Sequence, residues 1–133
     1  MRHTKWIVMG AALALVAATS AGGATSRDEY RAVLKRIAAD HREARALCRK
    51  LSGQARRECF AEAEADMKKA TAAADADHRD TPLARKDAKI AAANADYALA
   101  RVKCGAKSDE ERRECIKSAK AIQADAVADA VKH

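Results

Sequence analysis

The residues in this chain best equipped for chemistry are its four cysteines. Cys48 and Cys59 form one pair and Cys104 and Cys115 a second, each with ten residues between its members. Neither Cys-x-x-Cys nor Cys-x-x-Cys-His occurs, which disfavours a thioredoxin-like site and covalent haem. An even number of cysteines in an exported chain argues instead for disulfides. Other donors are sparse. His41 stands seven residues before Cys48 on a shared helical face, a place where histidine is more often a packed or partly exposed residue than a ligand. Asp75, Asp77, His78 and Asp80 gather near one helix end; oxygen and imidazole ligands could meet there, but the expected state is a solvated polar end. No Gly-rich phosphate loop follows a strand, and no nucleophile-elbow pattern occurs. Carboxylates are interleaved with Lys and Arg at helical spacing, as surface charges are. The expectation is a chain with no catalytic residue, no cofactor and no metal.

Oxidised cysteines require an oxidising compartment, and the N-terminus supplies the route. Arg2 and Lys5 precede an uncharged apolar run from Trp6 to Ala18, and small residues follow through Ala24. That order reads as a secretory signal peptide, cut after Ala21 or Ala24. The run is short for a transmembrane span; an uncleaved anchor is the alternative. No cysteine lies near the cleavage zone to carry a lipid. Loss of Arg2 and Lys5 takes the formal charge from +7 to +5. The domain plan is a signal over 1–24, one helical repeat over 25–80 and a second over 81–133.

The elements that must position the cysteines are all helical. The apolar fraction is 49%, but much of it is alanine, which favours helix and buries little area. A thin core in a small domain needs staples. Ser26-Arg27-Asp28-Glu29 has the capping-box form. After it, Tyr30, Leu34, Ile37, His41, Ala44, Cys48 and Leu51 alternate steps of four and three, a heptad seam. Ser52-Gly53 ends this first helix, with Gly53 suited to a left-handed conformation. A second helix from about Gln54 shows Phe60, Ala63, Met67, Ala70 and Ala74. Asp80-Thr81-Pro82 interrupts it, and Thr81 with Pro82 opens a third helix. That helix shows Leu83, Ile90, Ala93, Tyr97, Ala100 and Cys104. Ser108-Asp109-Glu110-Glu111 is a second capping box, opening a fourth helix with Ile116, Ala119, Ile122 and Ala126 along one side.

A shift of 56 residues lays Cys48 on Cys104, Asp40-His41 on Asp96-Tyr97, and Arg56-Arg57-Glu58-Cys59 on Arg112-Arg113-Glu114-Cys115. The pattern reads as an internal duplication, each copy a helical hairpin. In an antiparallel hairpin, bridged residues lie equally far from the turn. The midpoint of Cys48 and Cys59 falls between Gly53 and Gln54, and that of Cys104 and Cys115 between Asp109 and Glu110, beside Ser108. This favours the local bridges Cys48–Cys59 and Cys104–Cys115. A continuous helix through 48–59 would instead put both cysteines on one face. It would give Cys48–Cys115 and Cys59–Cys104.

The repeated unit resembles a group of short exported proteins of Gram-negative bacteria, some labelled TolA-like cell-envelope biogenesis proteins. The residues that carry the resemblance are Asp40, Ala44, Cys48, Gly53, Ala55, Cys59, Glu62 and Ala63 in the first copy. In the second they are Asp96, Tyr97, Ala100, Cys104, Cys115, Ala119 and Lys120. His41 departs from the tyrosine of that pattern and Gln54 from its turn asparagine, and the second copy lacks its turn glycine. The resemblance implies a periplasmic protein and no established activity. Two roles fit the chain: a structural or interaction module contacting an envelope protein, or an electrostatic binder of anionic envelope polymers or lipids. Nucleic acid ranks behind both, and alanine seams also suit self-association.

Overall fold

Alanine-rich segments punctuated by a single proline favour long helices, because alanine loses no side-chain entropy on helix formation. The computed structural model describes residues 23–132, so the segment read as an export signal lies outside the described residues except for Gly23 and Ala24. Four helices follow: α1 (Arg27–Cys48), α2 (Gly53–Arg79), α3 (Pro82–Cys104) and α4 (Asp109–Lys132). No strand occurs among the described residues. The all-helical class and the two-hairpin architecture expected from the sequence are both present.

The ends of the helices follow from their capping residues. Ser26 and Glu29 form the full reciprocal box: the Glu29 N–H donates to Ser26 Oγ at 3.2 Å, and the Ser26 N–H donates to Glu29 Oε2 at 2.8 Å. The box at α4 is one-sided. Glu111 Oε2 accepts from both the Ser108 hydroxyl (2.6 Å) and the Ser108 N–H (3.3 Å), so the hydroxyl donates to the carboxylate. Thr81 caps α3 by accepting from the Ala84 N–H at 3.1 Å, with Pro82 in the first turn. Gly53 has φ 58°, the left-handed conformation expected of it, and it begins α2. Asp80 ends α2 in the same left-handed region, φ 44°, which Asp tolerates better than most residues.

The helices lie side by side in sequence order. Each packs on its chain neighbours, and no Cα of α1 lies within 8 Å of one of α4, so the array does not close into a ring. The buried positions explain why. In α2 they are Ala63 and Ala74 on one side and Ala65 and Ala76 on the other; in α3 they are Ala84 and Ala95, then Ala93 and Cys104. Positions two apart on a helix are separated by about 200°, so the two neighbours of each central helix sit on opposite sides of it. Within each stripe the spacing is eleven residues, close to three helical turns, and that keeps a stripe on one side of a nearly straight helix.

The core is correspondingly thin. Its buried residues are alanines together with Cys48 and Cys104, and no larger side chain is fully buried among the described residues. α1 needs only one packed side, and the expected seam is the one that turns inward: Tyr30, Leu34, Ile37, His41 and Ala44 are half-buried and Cys48 is buried. Other seam positions are corrected. Leu83 is 53% exposed while Ala84 beside it is buried, and Ile122 is 69% exposed. Ala70 and Ala126 are exposed as well. The residues of α4 that turn toward α3 are Ile116, Ala119, Gln123, Val127 and Ala130. Leu51 is exposed, in the turn beyond α1.

Candidate functional site

The staples set the geometry from which any site is built. Cys48 bridges Cys59 and Cys104 bridges Cys115, with Cα–Cα distances of 5.4 and 5.6 Å, inside the normal range. All four cysteines are consumed. The chain reverses between Cys48 and Gly53, so the continuous helix needed for the cross-hairpin pairing does not form. Gln54 in the first turn of α2 donates to the Val102 carbonyl near the end of α3 at 2.9 Å. Both turns, and both disulfides, therefore lie at one end of the array.

That end carries a concentration of positive charge. Residues 44–57 contain Arg45, Arg49, Lys50, Arg56 and Arg57 and no acid. Arg45 and Arg56 approach the Phe60 ring, at 5.2 and 5.8 Å from its centroid. Gln54 Oε1 accepts from Arg57 at 2.8 and 3.1 Å. At the second tip Arg101 lies 5.8 Å from the Tyr97 ring. There Arg112 pairs with Asp109 at 3.4 Å and donates to the Lys107 carbonyl at 3.1 Å.

Two open grooves run between the helices of each hairpin. The α1/α2 groove has a volume of about 220 Å³ and the α3/α4 groove about 490 Å³. A shift of 56 residues carries every residue lining the first onto a residue lining the second. Thus Asp40 corresponds to Asp96, His41 to Tyr97 and Ala63 to Ala119. The second groove is wider where Ala93 stands in place of Ile37. The His41 side chain is 14% exposed, with Nε2 3.4 Å from Glu64 Oε2, an approach that does not meet hydrogen-bond geometry. One imidazole and one carboxylate do not make a metal site. Among the described residues no group of three His, Cys, Asp or Glu side chains could hold a metal ion.

The acidic cluster at the end of α2 has partners that sequence reasoning missed. The Tyr30 hydroxyl donates to Asp75 Oδ1. Its ring stacks on His78, with centroids 4.4 Å apart and planes within 7°. His78 Nδ1 donates to the Thr25 carbonyl at 2.9 Å, and the Thr25 N–H donates to the Asp77 carbonyl at 3.2 Å. Asp80 pairs with Arg85 at 2.8 Å. The cluster is a latch that ties the entry of α1 to the end of α2. The bond to Asp75, then burial and the carboxylate's charge, hold the Tyr30 hydroxyl above its ordinary pKa. The available signal was Tyr30 at the head of the α1 seam, which in an antiparallel hairpin must face the end of α2.

These features define a class by construction: a disulfide-stapled, alanine-cored row of antiparallel helices. Comparison with protein-family models, with curated proteins and with solved structures finds no match.

Proposed function

We propose that this protein is a non-enzymatic structural or interaction module of the cell envelope, acting in the periplasm or after secretion. The observation that carries the reading is the composition of its interior. Among the described residues the core is alanine and cystine, with no buried polar or charged side chain. Such an interior leaves the ionisable groups exposed or half-buried, most of them on surface that can meet a partner. The two disulfides suit an oxidising compartment. No helix among the described residues is long and apolar enough to cross a membrane. The resemblance to exported, TolA-like Ala/Lys-rich proteins supports the same placement.

A second reading is favoured by the acid-free cationic run over 44–57: an electrostatic binder of anionic polymers or lipids of the envelope. Salt separates the two, since electrostatic capture falls steeply with ionic strength. The test is non-reducing cross-linking and pull-down from a periplasmic extract, at low and high salt. An interaction module retains its envelope partner at high salt and loses it when the disulfides are reduced. A chain that retains nothing beyond what its reduced form retains would overturn the module reading.

A further inference from the structure

We propose that the first tip, residues 44–57, docks on a lipid surface bearing anionic headgroups. The proposal rests on the electrostatic reading above and names its surface, its occupant and its mode of contact.

The deciding residues are two leucines. Leu47 is 56% exposed in the last turn of α1, and Leu51 is 43% exposed in the turn that follows and closes the Cys48–Cys59 hairpin. A single exposed leucine needs no explanation. These two stand at the turn end of the array, in a stretch of chain that also carries Arg45, Arg49, Lys50 and Arg56, all exposed. None of the four cations has a carboxylate partner among the described residues. The Phe60 ring lies beside Arg45 and Arg56 and offers them an aromatic contact in place of a carboxylate. Exposed apolar side chains among exposed cations match an anionic bilayer, whose phosphates meet the cations while the leucines enter the acyl boundary.

A soluble polyanion would use the cations and leave the leucines in water. The second tip, at the same end of the molecule, shows what a tip looks like without them. The shift of 56 places Lys103 and Lys107 where Leu47 and Leu51 stand, and Asp109, Glu110 and Glu111 follow directly. The first tip therefore leads the contact. The bridge from buried Cys48 to Cys59 lies at the base of the turn and holds its two arms together, so docking depends on the oxidised form.

The test is vesicle flotation with protein in the form the cell delivers. The vesicles are phosphatidylcholine with and without phosphatidylglycerol. The wild type floats with the anionic vesicles only. Arg49→Gln with Lys50→Gln weakens binding by tenfold or more, since each cation near an anionic leaflet contributes about fivefold. Leu47→Gln with Leu51→Gln leaves the charge of the tip unchanged and removes the insertion, and it weakens binding about tenfold. Circular dichroism and a thiol count confirm that each variant is folded and oxidised. Equal or tighter binding by the double glutamine variant would overturn leucine insertion and leave the electrostatic reading standing. Salt-sensitive binding to polyphosphate without flotation would do the same. Binding to neither vesicle nor polyphosphate would overturn both.

Discussion

At the first tip Leu47 and Leu51 project among five cations with no acid between residues 44 and 57; at the second, Lys103 and Lys107 take their places and three acids follow. The contrast continues down each hairpin. Ile37 narrows the first groove, while Ala93 in its place leaves the second more than twice as large. At the far end, the latch of Tyr30, Asp75 and His78 ties α1 to α2, whereas Lys86 stands where the shift would place a second Tyr30. What the hairpins share is the cystine and the alanine stripes. Those shared parts set the architecture, and the residues mounted on them differ in size, charge and capacity to bind.

The largest expected effect comes from removing one staple at a time. In the chain-entropy model each short loop closure is worth about 2–3 kcal/mol. Cys48→Ala with Cys59→Ala leaves the latch holding the other end of α1. Cys104→Ala with Cys115→Ala leaves α4 on its packing through Ile116, Ala119, Val127 and Ala130 and on polar contacts that include the 2.8 Å bond from Gln123 to Asn94, with no stacked aromatic pair among the described residues. Hydrogen exchange is therefore expected to rise further across α4 in the second variant than across α1 in the first. Equal loss of protection would remove the latch from the account.

The latch itself ranks next. His78→Ala loses the stack on Tyr30 and the bond to Thr25, and is expected to cost about 1–2 kcal/mol in urea denaturation. Its exchange signature should be confined to the start of α1. A smaller effect comes from Gln123→Met, which copies Met67 into the wider groove and gives up the bond to Asn94. Added apolar contact there offsets the lost bond, so the thermal midpoint should change by the equivalent of less than about 1 kcal/mol.

How far the sequence carried these features differs between edge and centre. α1 packs on one side only, so its larger residues concentrate in one seam, and the inward residues from Tyr30 to Cys48 could be read directly. α2 and α3 must face two neighbours, and both of their faces are alanine. Nothing in the pattern marks Ala65 or Ala84 as more buried than Ala70. In α4 the same lack of contrast drew attention to Ile122, the larger side chain, when Gln123 is the residue turned inward. The disulfide pairing was legible because turn residues fixed a midpoint. The latch was not, because Tyr30 and His78 meet only once the hairpin has closed. The apolar tip was hidden as well, since Leu51 continues the α1 seam in sequence and leaves it only when the helix ends at Cys48.

The smallest predicted effect distinguishes the two caps by pH. Glu29 lies below its ordinary pKa because the Ser26 backbone N–H, then its hydroxyl, stabilise the carboxylate. Glu111 is lowered first by the Ser108 hydroxyl and then by the Ser108 backbone N–H. A depressed carboxylate contributes stability that is present above its unfolded pKa and lost as pH falls through the folded value. Both contributions should therefore fade below the ordinary glutamate range. Glu29→Gln leaves Ser26 Oγ accepting from the residue 29 N–H, so the start of α1 should stay protected. Glu111→Gln replaces the only carboxylate that joins the second box, so the start of α4 should exchange faster. Equal exchange at both starts would show that the one-sided geometry at Ser108 does not matter.

The central claim is that each hairpin is closed on itself by its own cystine in an exported protein. Peptide mapping of the non-reduced protein recovered from the periplasm tests it most directly. The expected digest contains Cys48 linked to Cys59, Cys104 linked to Cys115, no free thiol, and a chain that lacks its first 21 to 24 residues. Peptides joining Cys48 to Cys115 or Cys59 to Cys104, or four free thiols on a chain that still begins at Met1, would contradict it.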